Sequence, residues 1–355
     1  MKHIHGGDPK YYFAKFGLPE RRVLDFSVNI NPLGPPPIIK EIWDELFLKI
    51  HLYPSIYGNG VKEFYKKKFG VPEEFVLPGN GSTELIYLII RTIPAKVVAV
   101  VKPSYFDYER ACILAGKQVI SIYTDPDSLM RDAEAQLLRD IENSLFRADA
   151  IWIGRPNNPT GSVIPKEMIF SIAKKFSDKW IILDEAFIQF LDCWKEQTFI
   201  SPDIPRNILV LHSLTKFYAI PGIRVGALIS RPENIKLVFS KKEPWTVNVL
   251  AEEISKRLGS VDEYENRTLA LVSKERQRLY NAIINSEYII PVPSKTNFIL
   301  CKYKDELDRL LKYLLENGIY VRDCRNFDGL KGNFFRIGIR MPEENDLLIS
   351  KLLSA

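Results

Sequence analysis

Between residues 76 and 229 short, largely apolar runs alternate with helical stretches, and that alternation confines the chain to a small group of folds. The runs at 96–101, 119–123, 150–154, 180–183, 208–212 and 225–229 are too short to be helices and show no polar face. A strand that is apolar on both sides must be covered on both sides. The pattern therefore predicts an α/β fold, a mostly parallel sheet with helices packed over its two faces. The intervening helices are expected from an opening at 79–84 through 93, and at 105–115, about 129–145 and about 166–176, with Ser82 or Thr83 available to cap the first.

The flanks read differently. Residues 1–37 form an N-terminal arm with little periodicity, ending in a stretch whose prolines and glycine block regular structure. Residues 38–50 have helical spacing, with Ile39, Ile42, Leu46 and Ile50 on one face; a turn around Tyr53 and a basic helix to about Phe69 follow. A large domain is expected over 38–235 and a smaller α+β domain over 236–355. The smaller one is largely helical from 247 to 284, with strands at 297–302, 319–322 and 333–339 and helices at 304–316 and 342–353.

A chain of 355 residues suffices for two such domains. The net charge of +5 comes without a dense basic run, which argues against a nucleic-acid partner but leaves room for a basic pocket. Cys112, Cys193, Cys301 and Cys324 are scattered without metal-ligand spacing, so no metal site is expected and the thiols read as reduced, in a cytoplasmic protein. The N-terminus lacks the apolar core of a signal peptide, and no window of about 18 apolar residues suggests a membrane span. An acidic Asp184-Glu185 after an apolar run invites comparison with a nucleotide-triphosphate site, but no GxxxxGK[ST] loop accompanies it.

In an open α/β sheet, ligands bind outside the carboxyl ends of the strands, and three of the apolar runs here end in polar residues. One leads to Arg155-Pro-Asn-Asn-Pro-Thr-Gly161, one to Asp184-Glu-Ala-Phe187, and one to Ser213-Leu-Thr-Lys216. A partly desolvated lysine loses its proton readily enough to form a Schiff base with an aldehyde, which makes Lys216 the candidate nucleophile. Ser213 and Arg224 flank it with a hydroxyl and a guanidinium fork, both suited to a phosphate. The turn Gly81-Ser82-Thr83 at a helix N-terminus suits the same anion. An aldehyde partner beside a phosphate cradle describes pyridoxal 5'-phosphate (PLP). The remaining groups that cofactor needs are present: Asp184 to keep the pyridine nitrogen protonated, Asn158 to bond the phenolic oxygen, and Tyr105 to stack on the ring.

Taken in order, the glycine turn, the aromatic, Asn-Pro-Thr-Gly, Asp-Glu-Ala-Phe and Ser-x-x-Lys with an arginine eight residues on resemble the aspartate-aminotransferase-like (fold type I) PLP enzymes over nearly the whole chain. The resemblance implies that Arg336, in Asn333-Phe-Phe-Arg336, grips the substrate's α-carboxylate. It also implies a homodimer with shared active sites, in which Tyr53 reaches the neighbouring subunit's cofactor phosphate.

Within that family two branches are closest, and both act on phosphorylated substrates: the L-threonine-O-3-phosphate decarboxylases of cobalamin biosynthesis and the histidinol-phosphate aminotransferases. The opening His5-Gly-Gly7, the run from Leu24 to Gly34, the segment from Ile319 to Leu330 and the ending Phe335–Asn345 look like the decarboxylases. Phe187 departs from the aminotransferase pattern, in which a tyrosine commonly bonds the cofactor oxygen. The resemblance therefore implies release of carbon dioxide from L-threonine O-3-phosphate, with Arg322 and Arg325 as candidates for the substrate phosphate and His5 and Asn31 as helpers. Transamination of histidinol phosphate, or a non-catalytic protein on the same fold, are the alternatives. The last usually lacks the lysine or carries an added DNA-binding domain.

Overall fold

The computed structural model describes residues 6–126 and 134–354. Its strands are β1 (Leu24–Asp25), β2 (Val76–Asn80), β3 (Val97–Lys102), β4 (Gln118–Tyr123), β5 (Ala150–Gly154), β6 (Trp180–Asp184), β7 (Ile208–Ser213), β8 (Val225–Ile229), β9 (Ile289–Pro291), β10 (Phe298–Tyr303), β11 (Ile319–Tyr320), β12 (Arg322–Asp323) and β13 (Phe334–Gly338). Seven of them make the central sheet in the order β2-β8-β7-β6-β5-β3-β4. Every neighbouring pair from β7 to β4 is parallel, and β8 alone runs against both its neighbours. The expected mostly parallel α/β sheet is thus present.

Period-two alternation explains why these runs are apolar throughout. In β5, Ile151 and Ile153 enter the core on one face while Ala150 and Trp152 enter the core on the other. The same division separates Ile181 and Leu183 from Ile182 in β6, and Ile208 and Val210 from Leu209 and Leu211 in β7. The helix Gly81–Thr92 packs on one side, while Asn59–Phe69 and Lys166–Lys175 feed the core on the other. Gly81 carries φ +72°, and the helix starts there without a side-chain cap. Ser82 and Thr83 therefore lie in its first turn and do not cap it.

A second, antiparallel sheet in the order β12-β13-β10-β9 forms the C-terminal layer. The N-terminal segment is more ordered than its sequence suggests. Lys10–Phe16 is a helix whose Tyr12 and Phe13 are buried in the same core as Leu310, Leu314 and Phe335, and β1 pairs in parallel with β11. The single strand expected at 319–322 is split at Val321, so that β11 serves β1 and β12 serves β13. The helix expected over 38–50 is also broken, into Pro37–Glu41 and Trp43–Phe47; Ile39, Ile42 and Leu46 are buried as expected, but Ile50 lies exposed. The helix expected from about 129 is described from Glu134 to Leu145; its beginning lies outside the described residues. Among the described residues no helix is long and apolar enough to cross a membrane, and no cluster of metal-ligating side chains occurs.

Candidate active site

The parallel strands all end on one edge of the sheet, and reversed β8 begins there. β3 leads outward to β4, whereas the next strand, β5, lies on the other side of β3. The strand order therefore switches between β3 and β5, where an open α/β sheet opens a crevice at its carboxyl edge. The loops after these two strands are tied together by Asn157, whose Nδ2 donates to the carbonyl of Pro103 at 2.9 Å.

Lys216 follows β7 in the short helix Leu214–Phe217. Burial, aided by the positive charges of Arg224 and Arg336, pushes its ammonium down to about 8, against an opposing pull from Asp184. An amine so placed is far more available as a nucleophile or proton carrier near neutral pH than an ordinary lysine. Lys216 thus feels the charges of three groups that lie as far as 120 residues from it along the chain.

Next to it lies a cup for an anion. Arg224 takes the left-handed conformation, φ 58°, at the entry to β8. Its guanidinium lies so close to Gly81 that a Cβ there would sit 2.5 Å from Nη2, and the φ of +72° at residue 81 independently favours glycine. Gly226 permits a similar approach: a Cβ on it would meet the backbone nitrogen of Ser82 at 3.0 Å. The first N–H groups of that helix have no intrahelical acceptor, and with the Arg224 guanidinium against Gly81 they put positive ends of dipoles and a cation at one place, which suits a phosphate. Ser213 is buried, its Oγ 2.8 Å from Thr215 Oγ1.

Asp184 ends β6, buried, with one partner on each oxygen: the Tyr108 hydroxyl donates to Oδ2 at 2.6 Å and the Ala186 N–H to Oδ1 at 2.9 Å. Burial raises its pKa, and Tyr108, Ala186 and Lys216 counter that in favour of the carboxylate. Tyr105 follows β3 and meets Tyr108 edge-on at 5.7 Å; burial and the nearby Asp107 hold its phenol protonated. Nothing in the sequence singled out Tyr108. Its place in a helix was visible, its partner was not.

Asn158 accepts a hydrogen bond from Arg336 Nη1, and Arg336 Nη2 donates to the Ser27 carbonyl at 2.8 Å. The guanidinium lies 5.2 Å from the ring centre of Phe298, and Phe187 packs edge-on against that same ring at 5.2 Å. Burial lowers the Arg336 pKa to about 10, and its Nε is buried without a partner. A buried arginine with a free donor is poised for an anionic ligand.

The other expected residues are distributed unevenly. Arg322 is buried directly across from Arg336 in the β12–β13 pair; its Nη2 donates to Asn326 at 2.9 Å and its guanidinium covers Phe327. Arg325 is held by two carboxylates, Asp323 at 2.6 Å and Asp308 at 2.5 Å. Asn31 spends its amide on the Phe217 carbonyl, Tyr264 and Thr268, while its backbone N–H donates to the carbonyl of Lys216 at 3.1 Å. It braces the chain beside Lys216. His5 lies outside the described residues. Tyr53 is 85 % exposed and touches Trp245 at 5.6 Å.

Beneath the site lies a fully buried ion pair. Arg155 Nη1 meets Glu185 Oε1 at 3.1 Å, and the guanidinium also donates to the carbonyls of Ile164 and Gln197 and to Gln197 Oε1, each at 2.7 Å. Glu185 accepts from Thr198 at 2.6 Å and from the Phe199 N–H. Because Arg155 and Glu185 directly follow β5 and β6, the pair fixes the loops carrying Asn158 and Asp184.

The donor set suits PLP: a buried amine of lowered pKa for the aldehyde, a glycine-lined cup of donors for the phosphate, and a buried carboxylate with free lone pairs for the pyridine nitrogen. Comparison with known proteins agrees. The model of the aminotransferase class I and II family, whose members are PLP-dependent, matches residues 21–352. A protein of Caldanaerobacter subterraneus, provisionally named a threonine-phosphate decarboxylase, is 35% identical over 329 residues, covering 91% of this chain and 88% of its own. The threonine-phosphate decarboxylase of Salmonella typhimurium is 30% identical over 355 residues, covering 98% of this chain and 95% of its own. The crystal structure of the histidinol-phosphate aminotransferase from Clostridium acetobutylicum superposes with a TM-score of 0.86 at 29% identity, over 94% of this chain and 98% of that one. The chain belongs to the class I and II aminotransferase family.

Proposed function

We propose that this protein is a PLP-dependent decarboxylase of L-threonine O-3-phosphate, yielding 1-aminopropan-2-ol O-2-phosphate and carbon dioxide. The observation that carries the substrate class is the pairing of Arg322 with Arg336 across adjacent antiparallel strands, both buried. Two guanidinium forks side by side match a small ligand bearing a carboxylate and a phosphate a few bonds apart. Two relatives whose names give this activity support the choice.

Bound PLP supplies an electron sink for the pair released when a Cα bond breaks. The protein's part is geometric and electrostatic. Arg224, Ser213 and the first turn from Gly81 would hold the cofactor phosphate, Asp184 would pair with the pyridine nitrogen, Asn158 would bond the phenolic oxygen and Tyr105 would cover the ring. Arg336 and Arg322 would grip the substrate at both ends and so fix how its Cα is presented to the cofactor. Once carbon dioxide has left, Lys216 Nζ delivers a proton to Cα.

Transamination of a phosphorylated amine such as histidinol phosphate is the second reading, favoured by the likeness to the Clostridium enzyme. Phe187 weighs against it, because the ring that faces Phe298 has no hydroxyl to give the cofactor. We also infer a homodimer. The segment from Trp43 to Tyr57 exposes Trp43, Phe47, Leu48, Ile50 and Tyr53, an apolar surface that a second copy would cover.

Arg322→Ala is expected to raise KM for L-threonine O-3-phosphate by about 10–100-fold, since one charge-assisted fork is lost. PLP affinity should stay as it was. Steady-state kinetics with a PLP titration check this, and an unchanged KM would remove Arg322 from the phosphate site.

A further inference from the structure

Tyr108 links the two groups that would touch the cofactor ring from its face and from its edge. It sits in the first turn of the helix Asp107–Leu114 after β3, 3 % exposed. Its ring lies flat on Trp152 of β5, centroids 4.8 Å apart and planes within 1°, and its edge meets Tyr105. These contacts fix the ring, and its hydroxyl donates to Asp184 Oδ2 at 2.6 Å.

We propose that Tyr108 is a positioning residue for Asp184: its hydroxyl, aimed by the stack on Trp152, fixes that side chain as an ionised, correctly turned acceptor for a protonated pyridine nitrogen. A buried carboxylate is driven toward its neutral form unless charge or hydrogen bonds oppose this. The groups facing Asp184 are Tyr108, Tyr105, Lys216 and the Ala186 N–H. Of these, Lys216 is expected to lose its full charge when it engages an aldehyde, and Tyr105 is not an ion. Tyr108 and Ala186 then remain to hold the carboxylate, and each fills one lone pair of one oxygen, leaving the others for a ligand. A neutral Asp184 would compete for the proton instead of pairing with it.

The inference rests on the PLP reading, so its test includes a readout on cofactor-free protein. Tyr108→Phe keeps the ring and its stack and removes only the donor. In the cofactor-free protein, carboxyl-carbon NMR should show the Asp184 titration moving up by about one unit or more, the loss of one hydrogen bond to a charged group. Equilibrium dialysis should show the PLP dissociation constant rising about tenfold. Fluorotyrosine placed at 108, a stronger donor of nearly the same shape, should move the titration the opposite way and retain wild-type PLP affinity; it decides the question should Tyr108→Phe fail to fold. Unchanged titration in these variants would overturn the proposal and leave Tyr108 a packing residue. Failure of the wild-type protein to bind PLP would instead overturn the cofactor reading, while the cofactor-free titration still decides the role of Tyr108.

Discussion

Lys216→Ala is expected to lower turnover by at least about 10⁴-fold, because one side chain serves both as the anchor for the aldehyde and as the proton donor to Cα. PLP should still bind through the cup of Arg224, Ser213 and the Gly81–Thr92 helix, retained by hydrogen bonds and charge alone. The loss should not come from unfolding. The pKa of Lys216 is depressed in the folded protein, to about 8, so folding disfavours its charged form. For a base, that penalty is present at pH values below the folded pKa and fades as pH climbs from about 8 toward the ordinary lysine value. Removing the amine therefore relieves a cost at neutral pH, and thermal unfolding of the variant should occur at the same temperature or higher. Near-normal turnover in Lys216→Ala would sink the assignment of this site.

The second large effect concerns stability. Glu185→Ala should destabilise the protein by about 3–5 kcal/mol, the range for breaking a buried pair and stranding one charge. Arg155 and Glu185 are both fully buried. Burial works against both charges, and only their mutual attraction and the surrounding donors and acceptors hold them. The double variant Arg155→Met, Glu185→Leu should recover much of the loss, since neither charge is then left alone. Urea unfolding of the two single variants and the double variant measures the coupling. A cost below about 1 kcal/mol for Glu185→Ala would mean water reaches the pair.

Much of the fold and the core of the site could be read along the chain because the chemistry follows directly on apolar strands. Asn158, Asp184 and Lys216 each come within a few residues of a strand end, and the sheet does the work of gathering them. What could not be read depends on partners far away in sequence. Tyr108 and Asp184 are 76 residues apart, and a tyrosine on a buried helix face carries no mark of what its hydroxyl meets. The helix Lys10–Phe16 has only seven residues and β1 only two, too short for periodicity to declare them. Both exist because the C-terminal layer offers Tyr12, Phe13 and Phe26 a core. Asn31 and Arg325 are polar residues whose segments do not show what they meet: Phe217, Tyr264 and Thr268 in one case, Asp308 and Asp323 in the other. Ile50 fell on the apolar face of a continuous helix, but the chain breaks at Ile42 and carries it outside.

The most direct test of the proposed function is to supply the PLP-loaded protein with L-threonine O-3-phosphate, without any keto acid, and follow carbon dioxide. Sustained release over many turnovers is the predicted result. A single equivalent of pyridoxamine phosphate with no carbon dioxide would contradict it and make the protein a transaminase.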